Sequence, residues 1–168
     1  MSRSTEKGSM SQLCRVVLVE SDKPRAATLS ALLEDGQGSF EVVHAWSLEA
    51  GATALCAVPV DVLLLEGRCL RNGISEVARI RAHFKRVAII VIVPRKNEEL
   101  GKQFYRAGAC GYVLEEELDG ALLRDIVRFA AKRKRRTGQT DSRGAASFAE
   151  PEEGVLDAAR VRSERQSQ

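Results

Sequence analysis

Five short apolar runs recur along the chain, and each precedes a stretch whose apolar residues repeat at helical spacing. The runs are rich in Val, Ile and Leu and occupy residues 15–19, 40–44, 62–65, 87–93 and 111–114. The runs at residues 62–65 and 87–93 are uninterrupted, and apolar runs of this length favour strands that are buried on both faces, as in a parallel sheet. The pattern therefore predicts an α/β fold, an open doubly wound parallel sheet in which five strands alternate with five helices.

Cap and stop residues mark where the predicted helices begin and end. Ser21 or Asp22 begins the first helix, Ser47 the second and Asp119 the last. The third helix is predicted over residues 74–84, and the fourth over residues 98–107, immediately before Gly108. The folded domain is therefore expected to span residues 13–136.

The two ends of the chain have a different composition from the predicted domain. Residues 1–12 are polar and without periodicity, and they predict a disordered leader. Residues 137–168 are rich in Gly, Ser, Thr and Glu, which is typical of a flexible tail. No apolar segment resembles a secretory signal or is long enough to span a bilayer, so we expect a cytoplasmic protein.

The formal charge of +3 is concentrated in one short segment at the end of the last predicted helix. Five consecutive cations form this basic run: Lys132, Arg133, Lys134, Arg135 and Arg136. One interpretation is an anionic partner, such as nucleic acid, a membrane surface or an acidic protein. The other is a solvated helix C-terminus, which positive charge stabilises mildly.

Other residue patterns exclude several classes of function. The four cysteines show no Cys-x-x-Cys spacing and the chain has two histidines, so neither a zinc site nor a disulfide framework is predicted. We expect the cysteines to be buried or half-buried thiols. The sequence has no glycine-rich phosphate loop and no Ser-His-Asp spacing, and it predicts a protein that is not an enzyme.

Three of the predicted strands end at a carboxylate. Glu20 follows the first strand, Glu66 the third and Glu115 the fifth. Because the carboxyl ends of parallel strands meet at one edge of a sheet, we expect these three side chains to form a cluster. Arg68 is the nearest cation in the sequence to Glu66, and it is the candidate for neutralising the cluster. Glu20 and Glu66 are also a weak candidate for a divalent metal site.

Five motifs in order carry a resemblance to a known family. They are Val17-Leu-Val-Glu20, Asp61-Val-Leu-Leu-Leu65, Gly73, Ala88-Ile-Ile-Val-Ile-Val93 and Gly108-Ala-Cys-Gly-Tyr-Val-Leu114. With them the chain resembles the receiver domain of bacterial two-component response regulators, the CheY-like fold. The resemblance implies the flavodoxin-like strand order 2-1-3-4-5. It also implies a domain that accepts a phosphoryl group from a histidine kinase onto an aspartate, with Mg²⁺ held by neighbouring acids.

Most chemical positions implied by this resemblance hold a different residue in this chain. Glu66 takes the phosphoacceptor position, Glu20 and Ser21 the acidic pair, Val93 the Thr or Ser position and Glu115 the Lys position, while Tyr112 keeps the aromatic switch position. Glutamate displaces its carboxylate relative to aspartate, and Mg²⁺ demands near-ideal octahedral geometry. A valine cannot donate a hydrogen bond to a phosphoryl oxygen, and a glutamate repels one. We therefore expect no cofactor and no bound Mg²⁺.

Two interpretations of Glu66 follow. It is either a fixed charge that imitates a phosphoaspartate, or an acidic residue retained at a solvated strand end. The sequence favours a degenerate, phosphorylation-independent receiver that stands alone and contacts a signalling protein through the helix 4–strand 5–helix 5 face. The alternatives are a receiver still phosphorylated in a phosphorelay by relaxed chemistry, and a regulator that contacts nucleic acid through the basic run.

Overall fold

A computed structural model describes residues 13–34 and 39–140, and side chains as far as residue 136. It contains a five-stranded parallel sheet in the order β2-β1-β3-β4-β5, which confirms the predicted fold class and strand order. The strands are β1 (Cys14–Val19), β2 (Phe40–Ala45), β3 (Val62–Glu66), β4 (Ala88–Val93) and β5 (Gly111–Leu114). The helices are α1 (Lys23–Leu33), α2 (Leu48–Ala57), α3 (Ile74–His83), α4 (Glu98–Arg106) and α5 (Gly120–Thr140).

The helix starts follow the predicted caps. The side chain of Asp22 accepts the backbone N–H of Arg25 at 2.9 Å, and that of Asp119 accepts the N–H of Leu122 at 2.7 Å. Ser47 caps α2 in the same way. A short polar side chain placed before an apolar helical repeat therefore determines where these helices begin, as expected from local chemistry.

Several strand and helix ends lie one residue from their predicted positions, and the differences at Glu66 and at the end of α5 matter for the site and the basic run. Glu66 belongs to β3, where it pairs with Ile92, because the ladder continues one residue past the apolar run. The last helix continues to Thr140, four residues past the predicted domain boundary at residue 136. Residues 1–12, 35–38 and 141–168 lie outside the described residues, so the predicted leader and the part of the predicted tail beyond Thr140 stay predictions.

The sheet separates two apolar cores, and the alternation of side chains along each strand decides which core a residue enters. On one face Val16 and Leu18 of β1 pack with residues of α1 and α5. On the other face Val17 and Val19 pack with residues of α2, α3 and α4. Every residue of the two central strands, β3 and β4, is buried, as the unbroken apolar runs predict for a sheet covered on both faces.

The carboxyl edge of this sheet carries the β1–α1 and β3–α3 loops and the 3₁₀ turn Glu115–Glu117 after β5. Glu20, Ser21, Arg68 and Glu115 lie in these segments, and Glu66 and Val93 are the last residues of β3 and β4. Within residues 13–34 and 39–140, no helix has the length and apolar character that crossing a bilayer requires.

Candidate functional site

The three carboxylates expected at the strand ends do lie together at the carboxyl edge of the sheet. Glu20 is 2% exposed and Glu66 is 1% exposed, whereas the side chain of Glu115 is 29% exposed. The expectation that Glu66 occupies a solvated strand end is therefore wrong. Its carboxylate is enclosed because β3 continues through Glu66 and the next residues, Gly67–Cys69, turn directly over the sheet edge.

Arg25, in the first turn of α1, is the cation at the centre of this cluster. Its Nε lies 2.9 Å from Oε2 of Glu20, and its Nη2 lies 4.0 Å from Oε1 of Glu66. Its Nη1 donates a hydrogen bond to Oε1 of Glu115. The Nε–H is not aimed at the Glu20 oxygen, so that contact is an ion pair without a hydrogen bond. One guanidinium thus contacts carboxylates from three strand ends.

Arg25 was not predicted as a site residue, although one signal in the sequence pointed to it. Positive charge in the first turn of a helix opposes the helix dipole. A cation at that position therefore indicates an anionic partner outside the helix. Glu20 and Glu66 are such partners, and the side chain of Arg25 is only 19% exposed between them.

Arg68, the neutralising residue that the sequence predicted, contacts the cluster from its outer side. Its backbone N–H donates to Oε2 of Glu66 at 2.8 Å, and its Nη2 donates to Oε2 of Glu115 at 2.7 Å. Its Nε lies 3.8 Å from Oε1 of Glu66. The prediction is confirmed, but the side chain is 56% exposed, so water screens its charge more than that of Arg25.

The surroundings shift the proton affinities of the cluster in opposite directions. Burial raises the pKa of Glu66, and nearby Glu20 raises it further, although the backbone N–H of Arg68 and the two guanidinium groups oppose the rise. The hydrogen bond from Arg25 lowers the pKa of Glu115 in spite of its partial burial. Burial works against the charge of Arg25, but its contacts with the glutamates outweigh burial and raise its pKa. The charged forms of Arg25 and Glu115 are therefore stabilised, whereas Glu66 takes up a proton more readily than an ordinary glutamate.

The structure also brings a thiol to the cluster. One ligand atom each from Glu20, Glu66 and Cys69 lie within 4.8 Å of one another, and Oε2 of Glu20 and Oε1 of Glu66 have no hydrogen-bond partner among the described residues. The thiol of Cys69 donates to Oγ of Ser21 at 3.7 Å. Burial raises the pKa of Cys69, which disfavours the thiolate that a metal requires.

An apolar floor lies beside the carboxylates at the end of β4. Val93 is 1% exposed, and the chain after β3 packs directly on it. A methyl group added at Gly67 would lie 3.3 Å from Cγ1 of Val93 and 3.1 Å from the carbonyl oxygen of Ile92. The same methyl group would lie 3.8 Å from Cε2 of Phe104 in α4. The backbone of the β3–α3 loop therefore covers the side chain of Val93, which has no hydroxyl group.

Several solved structures have the same architecture as this chain. A scan against protein-family models and a search of curated proteins find no match for the chain. A response regulator receiver domain protein from Clostridium thermocellum superposes with a TM-score of 0.66 at 17% identity, over 74% of this chain and 99% of that one. A CheY-like receiver domain protein from Methanospirillum hungatei gives 0.65 at 16% identity, over 76% and 100%. The chemotaxis response regulator CheY4 of Vibrio cholerae gives 0.61 at 16% identity, over 71% and 99%.

The chain has the fold of a CheY-like receiver domain. The identities are low, so the likeness establishes the architecture and leaves the chemistry to the residues. In this fold Glu20, Glu66 and Glu115 lie close together, as their places at the ends of three parallel strands predict. Ser21 is exposed beside Cys69 and brings no carboxylate to the cluster.

The aromatic residue of the receiver fold, Tyr112, lies inside the structure. It is 7% exposed, and its hydroxyl group lies 3.5 Å from Oε1 of Glu98. Gly101 of α4 makes room for the ring, since a methyl group there would lie 2.5 Å from Cδ2 of Tyr112. The ring is therefore almost fully buried and packs against the α4 backbone.

The basic run is part of α5, and its members Lys134 and Arg135 bind the domain. Arg135 donates to Oδ1 of Asp61 through Nε at 3.0 Å and Nη2 at 2.7 Å, and Nζ of Lys134 donates to the carbonyl oxygen of Lys85 at 3.3 Å. The remaining three cations are exposed: Lys132, Arg133 and Arg136. Both interpretations of the run therefore stay predictions, and the contacts of Lys134 and Arg135 were foreseen by neither.

Proposed function

We propose that the protein is a phosphorylation-independent receiver domain that acts as a non-enzymatic interaction module in bacterial two-component signalling. One observation carries the proposal: the guanidinium of Arg25 contacts Glu20, Glu66 and Glu115 at the position where receiver chemistry would need a metal ion and a phosphoryl group. The receiver fold supports the signalling role. The site residues support the loss of phosphorylation.

Phosphoryl transfer depends on the position of the nucleophile and on charges aimed at the transferred group. Oε2 of Glu66 already accepts the N–H of Arg68, and its Oε1 faces two guanidinium groups at 3.8 and 4.0 Å. At 1% exposure this carboxylate offers no open line of attack to a phosphoryl donor in water. Val93 supplies no donor for the oxygens that such a group would carry.

The same geometry argues against Mg²⁺ as a cofactor. A divalent cation would need the Glu20 and Glu66 oxygens that contact Arg25, and it would lie within a few ångströms of that positive charge. Mg²⁺ also keeps several of its water molecules and needs octahedral geometry. Burial of both carboxylates leaves little room for those waters, so Arg25 replaces the metal as the counter-ion of the cluster.

The α4–β5–α5 face is the proposed contact surface for a partner signalling protein. Packing of Tyr112 on Gly101 holds α4 directly against β5, so the shape of this face does not depend on a movable ring. Exposed charged side chains on α4, among them Lys102 and Arg106, give the face polar contacts that a partner can recognise. A module that is not phosphorylated would present this face constantly.

Incubation with acetyl phosphate and Mg²⁺, followed by intact-mass measurement, tests the proposal. We expect no phosphorylated species under conditions that phosphorylate a receiver with a complete aspartate site, which serves as the positive control. A phosphorylated species that is lost in Glu66→Gln would refute the proposal and support the relaxed-phosphorelay alternative. Thermal melts with and without Mg²⁺ give an independent readout, for which we expect no shift.

A nucleic-acid contact is the second candidate, and the exposure of Lys132, Arg133 and Arg136 on α5 favours it. Its weakness is that Lys134 and Arg135 are engaged with the domain. A gel shift at low salt tests it. Retardation of DNA that is lost when the three exposed cations are changed to Gln would support this function, and no retardation would exclude it.

A further inference from the structure

A groove with strongly basic walls lies at the amino edge of the sheet, opposite the carboxylate cluster. It has a volume of about 470 Å³ and lies between the α4–β5 connection and the last part of α5. Four cations line it, together with Tyr105 and Cys110: Arg81, Arg106, Arg133 and Lys134. Among the residues that the structure describes, none that forms its walls is acidic.

The positions of these cations are built into the fold. Nη1 of Arg81 donates to the carbonyl oxygen of Lys85 at 2.7 Å. Gly108, with φ of 110°, lies against its stem, and a methyl group there would be 2.8 Å from Cγ of Arg81. Partial burial, and then the nearby charges of Arg81 and Arg133, lower the pKa of Lys134. Like charges are therefore crowded in this groove, and an anionic occupant would relieve their repulsion.

We propose that the acidic segment 150–153 of this chain, Glu-Pro-Glu-Glu, binds in this basic groove. The segment has three carboxylates in four residues, against four cations in the walls, of which Arg106 also lies 3.8 Å from a carboxylate oxygen of Glu99. Clusters of arginine recognise acidic motifs of this kind through charge-assisted hydrogen bonds. The binding covers Arg133 and Lys134, so it shields the basic run from other polyanions.

The length of the chain allows this contact. Residue 150 follows the end of α5 at Thr140 by ten residues, and ten extended residues reach about 33 Å. Arg133 precedes the helix end by seven residues, which is about 10 Å of helix. The connecting residues can therefore turn back with slack. A tether of this length keeps the segment near the groove at an effective concentration of the order of millimolar.

Cys110 is a natural reporter, because it is half-buried in the groove, while exposed Cys56 on α2 serves as the reference thiol in the same molecule. The experiment measures alkylation of both by iodoacetamide in the full chain, resolved by peptide mass. We expect the triple variant Glu150→Gln/Glu152→Gln/Glu153→Gln to increase the rate at Cys110 by about three- to tenfold, as a groove covered for most of the time predicts. The rate at Cys56 stays unchanged.

A matched control removes three other acids from the same region: Asp141→Asn, Asp157→Asn and Glu164→Gln. This variant has the same net charge as the test variant, and we expect it to leave Cys110 as protected as in the native chain. Added salt should reduce the protection in the native chain, because the contact is ionic.

Any of four results would overturn the proposal. The first is an equal Cys110 rate in the native chain and the test variant. The second is equal acceleration in the matched control. The third is protection that grows with protein concentration, which would assign the groove to a second copy. If a short oligonucleotide protects Cys110 equally in the native chain and the test variant, the groove is open to nucleic acid, and the proposal also fails.

Discussion

Replacing Arg25 by methionine would test whether the carboxylate cluster depends on an internal counter-ion. Methionine keeps an apolar stem of similar length and removes the charge. Two unit charges 4 Å apart attract by about 4 kcal/mol at an effective dielectric constant of 20. Arg25 lies 2.9 Å from one buried carboxylate oxygen and 4.0 Å from another. Removing one member of a buried ion pair typically costs about 3–5 kcal/mol.

Two effects reduce that figure in this protein. Arg68 remains in contact with Glu66 and Glu115, and Glu66 can take up a proton. We therefore expect Arg25→Met to lose about 3 kcal/mol of unfolding free energy at pH 7, or roughly 10 °C in Tm for a domain of this size. Urea titration and thermal melts followed by circular dichroism measure both quantities.

The loss should also depend on pH. The pKa of Glu66 is already above its ordinary value of 4.5, and removal of Arg25 raises it further. The folded state then binds more protons than the unfolded state in the range above pH 4.5, so stability falls as pH rises through that range. We expect the difference between Arg25→Met and the native protein to be smaller at pH 5 than at pH 7.

Arg68→Met is the matched control, because Arg68 touches the same carboxylates from an exposed position. Its loss should stay below about 1 kcal/mol, as for other exposed ion pairs. The reasoning fails if Arg25→Met and Arg68→Met lose the same small amount. It also fails if the loss in Arg25→Met is equal at pH 5 and pH 7.

Three further substitutions address other contacts. A Gly-to-Ala change normally stabilises a helix, but in Gly101→Ala the added methyl group would lie 2.5 Å from Cδ2 of Tyr112. Urea titration should therefore show a loss of about 1–3 kcal/mol in unfolding free energy, and a second change, Tyr112→Ala, should relieve it. A gain in unfolding free energy in Gly101→Ala would contradict this packing. Thermal melts of Glu115→Gln should show a loss of stability at pH 7 and little loss at acid pH. The pKa of Glu115 is lowered in the folded state, so its charged carboxylate stabilises the fold above the unfolded pKa. That stabilisation is lost as pH falls through the folded pKa. Asp61→Asn removes the ion pair of Arg135, so it should lower the unfolding free energy by about 1 kcal/mol and weaken hydrogen-exchange protection in the last turns of α5. Unchanged protection would show that this pair does not anchor the helix.

Local chemistry explains why the fold could be predicted from the sequence. The apolar runs of β3 and β4 determine strands that must be covered on both faces. Asp22, Ser47 and Asp119 supply cap oxygens to N–H groups three residues away, so the helix starts depend on neighbouring residues alone. The proximity of Glu20, Glu66 and Glu115 also followed from the sequence, because parallel strands bring their carboxyl ends to one edge.

The electrostatic character of the site was decided by the tertiary structure. Arg25 reaches Glu115, 90 residues away, only because α1 packs beside the carboxyl edge of the sheet. Likewise, Arg135 meets Asp61 across 74 residues once α5 lies along the sheet. Periodicity and capping operate within a few residues, whereas the partner of a long charged side chain depends on how elements pack. The sequence by itself therefore determined the strands, most helix boundaries and the carboxylate edge, and the packing of α1 and α5 determined which charges are neutralised.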